Sequence, residues 1–326
     1  MSARSDAQIS SSIASGNDRL LALTGASGFL GARIAALASN AGWRVRALQR
    51  RSNILLDGVT DVVPGDLADA GALMRLVDGA DAIIHNAGLV RARSPAEFMA
   101  ANALGANAVA AAALSVGNAP FVLVSSLAAS RPTVSPYAAS KAVAEAGVRR
   151  VLKDHPLAVL RPPAIYGPAD AATKPLFKAM ARGLLPALGS PGARLAMIYV
   201  DDAAAAALTA LDAASAAHPV FEVDDGAGGY DASAMHAAAE SAAGRSLRPI
   251  RLPLPVIKLA GAVGGISMIL SRTLGLQPPF LTPGKVSEML AGDWIADPAL
   301  SLPQWTPEVS LEAGFRRTLA WYREAE

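Results

Sequence analysis

The chain has 326 residues, 29 of them Lys or Arg and 27 Asp or Glu, for a net charge of +2, with 52% hydrophobic and 5% aromatic residues. The near balance of charge excludes the basic footprint of a nucleic-acid binder, although the pI is near 9.0. With no cysteine, disulfides, thiol nucleophiles and cysteine metal sites are excluded, and His85, His155, His218 and His236 show no metal-ligand spacing.

Mean hydropathy is +0.33 and much of it is alanine, so the core is expected to be Ala, Leu, Val and Ile. Residues 1–18, "MSARSDAQISSSIASGND", lack the apolar segment of a secretory signal and read as a disordered tail on a cytoplasmic protein. From Arg19 short apolar runs alternate with helical patterns. "RLLALT" predicts a buried strand and Gly28 to Asn40 a helix. "WRVRALQ" and "DVVPGD" predict the next strands, followed by a helix over Ala70 to Leu76 and a strand in "DAIIHNAG". Ala96 to Val116 predicts one long helix, "PFVLVSS" a strand, Pro136 to Lys153 a helix, and "LAVLRPPAIYG" a sixth strand ending in a proline-rich loop. This rhythm predicts an α/β fold, a Rossmann-type doubly wound parallel sheet with ligands outside the carboxyl ends of its strands.

After Gly167 the rhythm changes. "RLAMIYVDD" and "VFEVDDG" predict two more strands around an Ala-rich helix, Asp202 to Ala214. The expected division is a dinucleotide domain over 19–167, joined by 194–225, and a smaller, mostly helical substrate lobe from 168–193 and 226–326. Leu252 to Leu270, "LPLPVIKLAGAVGGISMIL", is long and apolar, but Pro253, Pro255, Lys258 and Gly264-Gly265 interrupt it. It reads as a pair of helices walling an apolar substrate pocket, as a peripheral contact with a membrane surface, or as a span. The final "LEAGFRRTLAWYREAE" is an amphipathic helix.

Gly25, Gly28 and Gly31 follow the first strand directly. After a strand, one glycine makes a tight turn, a second lets a ligand touch the backbone, and a third lets helix and strand approach. The free N–H groups and positive dipole of the helix start then suit a pyrophosphate. Tyr137 and Lys141 lie four apart on a predicted helix and share a face. A tyrosine ordinarily ionises near ~10. A neighbouring ammonium is expected to lower that value and make the phenol a workable acid or base.

"TGASGFLG" resembles the cofactor signature of the short-chain dehydrogenase/reductase superfamily, and "SPYAASK" resembles its Tyr-x-x-x-Lys signature. "PGDLAD", "HNAG", "NALGAN", "VSSLAA", "RPPAIYGP" and "YVDD" match in the family's order, so the motifs cover residues 24–202. The length and the "RPPAIYGP" loop resemble the extended, epimerase/dehydratase branch, nearest its dihydroflavonol-reductase-like and 3β-hydroxysteroid-dehydrogenase-like members. The resemblance implies a dinucleotide against Gly25, Ser27, Gly28, Phe29, Leu30 and Gly31, with Asp66 and Leu67 at the adenine. It places Asn86, Ala87, Gly88, Arg161 and Pro162 along the cofactor. It makes Tyr137 the proton donor or acceptor, Lys141 the partner of the ribose hydroxyls, and Ser126 the group that holds the substrate oxygen, with Ser125 as the neighbouring alternative. Asn102 matches the asparagine that anchors the lysine through its helix. Tyr166 is expected either to face substrate or to pack as a core aromatic, and Asp201 and Asp202 are read as a helix N-cap.

At the end of the second strand, "ALQRRSN" carries no acid before Asp57, whereas NAD users place one there. Arg50 or Arg51 pairs naturally with a 2′-phosphate, which favours NADP(H) over NAD(H). Three functions compete. A ketone–alcohol oxidoreductase acting on a hydrophobic lipid-, sterol- or flavanone-like substrate fits the apolar lobe. A nucleotide-sugar epimerase would use Lys174, Lys178, Arg182 and Arg194 on a diphosphate. The same second reading covers a dehydratase, which would carry an Asp-Glu pair where this chain has Leu127 and Ala128, and this speaks against dehydration. A non-catalytic assembly subunit would typically lose the Tyr or Lys kept here. The family also implies a homodimer.

Overall fold

The computed structural model describes residues 19–50, 56–186, 192–250, 253–274, 279 and 281–324. The tail over 1–18 and Arg51 therefore lie outside the described residues. Strand and helix alternate through the first half as the periodicity predicts. β1 (Leu20–Thr24) turns into α1 (Phe29–Asn40), followed by β2 (Arg44–Gln49), β3 (Asp61–Pro64), α2 (Ala70–Val77) and β4 (Ala82–His85). Next come α3 (Pro95–Phe98), α4 (Gly105–Ala113), β5 (Phe121–Val124), α5 (Pro136–Leu152) and β6 (Leu157–Arg161). The remainder is β7 (Ala164–Tyr166), α6 (Lys174–Ala181), β8 (Leu184–Pro186), β9 (Met197–Tyr199), α7 (Val200–Asp212) and β10 (Val220–Glu222). It ends with α8 (Ala232–Ala243), β11 (Arg248–Ile250), α9 (Leu254–Leu274), α10 (Pro283–Leu290) and α11 (Leu311–Glu324).

Seven strands form one sheet in the order β3-β2-β1-β4-β5-β6-β10, every adjacent pair parallel. The order reverses between β1 and β4, and a crevice at such a point takes the ligand of a doubly wound sheet. β1, β4 and β5 are buried along their whole length, as their largely apolar sequences require when helices cover both faces, and the two polar residues, Thr24 and His85, bond each other.

Several expectations are corrected. The helix predicted over Ala96 to Val116 is α3, a π-helical stretch over Met99–Leu104, α4, and a 3-10 turn over Leu114–Val116. Residues 95–116 are apolar and long enough to cross a bilayer, yet in the fold they lie against α2 and α5. The sixth strand divides at Pro162-Pro163, where neither residue can donate to a ladder. β7 therefore leaves the main sheet and pairs with β9. β8 and β11, which the sequence does not announce, pair with each other. Asp201 and Asp202 lie inside the first turn of α7, beyond its N-cap residue Tyr199. Asp201 instead pairs with Arg33 of α1, at 2.5 and 2.9 Å, and Asp202 accepts the N–H groups of Glu308 and Val309. The apolar segment expected to be two helices is the single helix α9. Pro255 falls in its first turn, where a missing N–H breaks nothing. The glycines let neighbours close in: a Cβ on Gly264 would lie 1.7 Å from the Leu281 oxygen.

Tyr166 is also corrected. It has no exposure, and its ring meets Phe315 edge-on at 5.2 Å and Tyr199 at 5.7 Å. Its hydroxyl donates to the Leu311 carbonyl at 3.4 Å, and the absence of a side chain at Gly314 makes room for it. It joins α11 to β7 as a core aromatic, the second of its two expected placements. Edge-on pairs of this kind contribute about 0.5–1.5 kcal/mol each beyond their buried area. The apolar core runs from β1 and α1 through α7 into α6, α8 and α11 without a break.

Candidate active site

The turn after β1 is built by its glycines. Gly25 holds φ +77, and a Cβ there would lie 2.8 Å from the Ala87 nitrogen. Its carbonyl accepts the Gly28 N–H at 3.0 Å. A Cβ on Gly31 would lie 2.0 Å from that same carbonyl, so α1 can approach the turn only with glycine there. Gly28 is the N-cap of α1, exposed, and no side chain caps the helix. Ser27 is exposed beside it, Phe29 is half-buried and Leu30 is buried in the core. The residues present thus fit a pyrophosphate: a concave backbone surface, an open face at Gly28, and first-turn N–H groups without a side-chain cap.

The exit of β4 forms the opposite wall. The Asn86 side chain reaches the Gly25 carbonyl at 3.5 Å, and the Ala87 N–H donates to the Thr24 hydroxyl at 3.2 Å. Gly88 leaves space for two side chains: its missing Cβ would be 3.0 Å from Asn102 Oδ1 and 3.4 Å from Lys141 Nζ. Asn102, on the π-helical stretch, accepts from the Leu89 N–H at 2.7 Å and donates to the Leu89 carbonyl at 3.0 Å. It also donates to Ser140 Oγ at 2.9 Å, bracing α5 at the residue before Lys141. Lys141 is buried and donates to the Val124 carbonyl at 3.0 Å, at the end of β5.

Burial lowers the Lys141 ammonium to about 8, against the opposing charge of Glu145 one turn further along α5. His85, in β4, is lowered to about 3 by burial and by the Lys141 charge. Its Nδ1 bonds the Thr24 hydroxyl at 2.8 Å, while Nε2 is buried without a partner among the described residues.

Ser126 stands at the exit of β5, where its hydroxyl accepts the Ala128 N–H at 3.2 Å. The same hydroxyl stands near enough to the Tyr137 phenol to favour its ionised form. Ser125, the neighbouring alternative, is buried and donates to Glu145 Oε1 at 2.6 Å, away from Tyr137. Tyr137 packs against the ring of Phe98 at 5.8 Å. The lowered phenol expected from Lys141 is not found. Burial pushes Tyr137 up to about 12, the Ser126 hydroxyl opposes that, and the Glu288 charge adds to it. Desolvation of the phenolate outweighs its nearby donor, so the phenol is neutral at pH 7.

Glu288 was not singled out by the sequence. It lies on α10, is buried, and accepts from the Ser135 hydroxyl and from Lys285 Nζ at 2.9 Å. Ser135 is the N-cap of α5, accepting the Ala138 N–H at 3.0 Å, so α10 is fastened to the helix turn that carries Tyr137.

Arg161 points into a buried ionic cluster. Its guanidinium donates to Glu145 at 2.9 and 2.7 Å and to Glu222 at 3.2 Å. Both carboxylates are less than a tenth exposed, and they hold Arg161 above the usual guanidinium range. Its charge is thereby committed to tying α5, β6 and β10 together. Pro162 is buried, and its carbonyl accepts the Leu127 N–H at 2.9 Å. Asp66 is exposed and caps its own loop through the Ala68 N–H at 2.8 Å, while Leu67 lies against Gly105. Arg50 is exposed at the end of β2.

A Rossmann sheet with a glycine cradle at its switch point, and a serine, a tyrosine and a lysine beside it, defines a nicotinamide-dinucleotide enzyme of the extended short-chain dehydrogenase/reductase type. The model of the NAD-dependent epimerase/dehydratase family matches residues 21–223, and the chain belongs to that family. It is 41% identical over 310 residues to a ceramide reductase of Caulobacter vibrioides, covering 94% of this chain and 95% of that one. It is 30% identical over 331 residues to a 2-alkyl-3-oxoalkanoate reductase of Stenotrophomonas maltophilia, covering 91% and 98%. Among solved structures, MoeE5 in complex with UDP-glucose and NAD superposes with a TM-score of 0.70 at 19% identity, covering 94% of this chain and 99% of that one. UDP-glucose 4-epimerase of Thermotoga maritima gives the same score, identity and coverage. At that identity the likeness is one of fold.

Proposed function

We propose that this chain is a reductase that converts a ketone on a long-chain, ceramide-type lipid to a secondary alcohol, with NADPH as the preferred hydride source. The observation that carries the reading is Tyr137 and Lys141 on one face of α5, with Lys141 held at the end of β5 beside Ser126 and burial keeping the phenol protonated. A phenol in that form is ready to give a proton, which is what reduction of a carbonyl requires.

The nicotinamide, when bound, supplies the hydride that forms the new C–H bond at the carbonyl carbon. As the C=O bond opens, its oxygen takes the proton of Tyr137, and the Ser126 hydroxyl stabilises the charge developing there. The phenolate left behind recovers its proton from solvent. Lys141, held at the end of β5, supplies positive charge to ribose hydroxyls and to that phenolate. Gly25, Gly28 and Gly31 hold the pyrophosphate, and Asn102 positions Lys141 through Ser140. Arg50 beyond β2, with no acid before Asp57, supports the NADPH preference. The two reductase relatives support a keto substrate. Leu127 and Ala128, buried where a dehydratase carries acids, speak against dehydration.

The test is consumption of NADPH or NADH with a short-chain 3-keto-ceramide. NADPH is expected to be used at least tenfold better, and Tyr137→Phe to lose roughly 10²–10⁴-fold in turnover while still binding NADPH. Full activity in Tyr137→Phe would remove the proposed proton donor. Turnover of UDP-sugars alone, without net loss of dinucleotide, would replace this reading with the epimerase one.

A further inference from the structure

We propose that the outer face of α9 docks on an anionic lipid bilayer, holding the enzyme at a membrane surface. Three observations carry this. α9 meets the body of the protein through a glycine face: a Cβ on Gly261 would lie 2.7 Å from Val286, and one on Gly265 would lie 3.2 Å from Pro283. The opposite face is apolar and uncovered, with Val256 46%, Leu259 66% and Val263 57% exposed, spaced at helical intervals. The charge is one-sided. Between Glu240 and Glu288 the chain has no Asp or Glu, and it carries Arg245, Arg248, Arg251, Lys258 and Arg272, besides Lys285, which pairs with Glu288. Of these, Lys258 on α9 and Arg248 just before it are exposed.

An apolar helix face with only basic charge around it is the pattern of a helix lying in the interface of an anionic membrane. α9 runs 21 residues, but contacts of Gly261, Gly264 and Gly265 with Val286, Leu281 and Pro283 hold it along the body of the protein, and Lys258 is exposed in its first half, so the helix lies on a surface with one face outward. A second copy of the chain is a poorer occupant, because the face would set basic charge against basic charge. The inference goes beyond the proposed reaction and does not depend on the substrate.

The test is co-sedimentation of the full chain with vesicles of 30% phosphatidylglycerol in phosphatidylcholine and of pure phosphatidylcholine. The protein is expected to pellet with the first, to release as salt is raised, and to bind the second at least tenfold more weakly. Val256→Ser, Leu259→Ser and Val263→Ser combined are expected to reduce partitioning at least tenfold. Lys258→Glu with Arg248→Glu is expected to do the same, and both variants should retain wild-type NADPH affinity as evidence of folding. No pelleting with anionic vesicles, or unchanged pelleting of the triple variant, would overturn the proposal. A dimer that the triple variant converts to monomer, with no vesicle binding in either form, would assign the face to a second copy instead. Each readout is independent of ketone turnover, so failure here and failure of the reductase reading are separable.

Discussion

Replacing Gly31 with alanine is expected to dismantle the dinucleotide cradle from behind. The added Cβ would lie 2.0 Å from the Gly25 carbonyl oxygen, 2.6 Å from its carbon and 2.8 Å from Asn86 Nδ2. Ordinary contact begins at 3.4 Å, so the carbonyl would have to retreat by the difference, about 1.4 Å. That carbonyl accepts the Gly28 N–H, so its displacement opens the turn. Overpacked positions typically cost about 1–3 kcal/mol, and a clash with backbone belongs at the upper end, about 3 kcal/mol. Gly28→Ala is the comparison. Gly28 has φ −84, and its Cβ would lie 3.2 Å from the same carbonyl, so the fold accommodates it while a methyl enters the open face. Urea denaturation should show the loss for Gly31→Ala and little change for Gly28→Ala. Titration with NADPH should show at least tenfold weaker binding for both. Wild-type stability and affinity in Gly31→Ala would refute the close-approach argument, and wild-type affinity in Gly28→Ala would move the phosphate site elsewhere.

Two further outcomes follow from the electrostatics. Because Lys141 is lowered to about 8 while Tyr137 is pushed up to about 12, NADPH binding should weaken above about pH 8 as the ammonium loses its proton. Lys141→Arg, which stays charged, should abolish that limb, and its persistence would assign the limb to another group. The same depressed value has a sign for stability: above about pH 8 the unfolded chain holds a proton that the native Lys141 has lost, so Lys141 contributes stability that rises with pH until its ordinary value is reached. Glu288→Ala removes the acceptor of Ser135 and Lys285 and is expected to cost about 1.5–3 kcal/mol in urea denaturation. It should raise KM for the ketone and leave NADPH affinity unchanged. An equal loss of NADPH affinity would contradict a role confined to the seating of α10.

The parts of the fold legible in the sequence are those set by local pattern. Continuous apolar runs gave the buried strands, and Gly25, Gly28 and Gly31 announce a turn because few other residues fit one. The Tyr137–Lys141 spacing likewise announces a shared helix face. What local pattern leaves open depends on contacts between distant residues. Tyr166 stands at a strand exit, where an aromatic can equally face ligand or core, and only the arrival of Phe315 and Gly314 decides it. Arg161 matches a cofactor motif, and its pairing with Glu145 and Glu222 is set by residues from other elements. The neutral phenol of Tyr137 reflects burial and Glu288, neither visible in a four-residue spacing. The π-helical turn that aims Asn102 at Leu89 and Ser140 has the same composition as the regular helix around it. α9 looked broken because its glycines read as interruptions until Leu281 and Val286 are found filling the space they leave.

The division of the apolar core also bears on which parts of the chain can be rewritten independently. α6, α8 and α11 share one core with the sheet, so rewriting them disturbs the scaffold itself. α9 and α10 lie outside that continuous core and are fastened by Glu288, by Arg131 reaching the Ala291 carbonyl at 3.1 Å, and by glycine-to-neighbour contacts. A strap held by a few polar ties can be exchanged without repacking the sheet's core, provided a group in place of Glu288 still meets Ser135 beside Tyr137. Under forty residues, from α9 to α10, can thereby vary while the dinucleotide scaffold keeps its core.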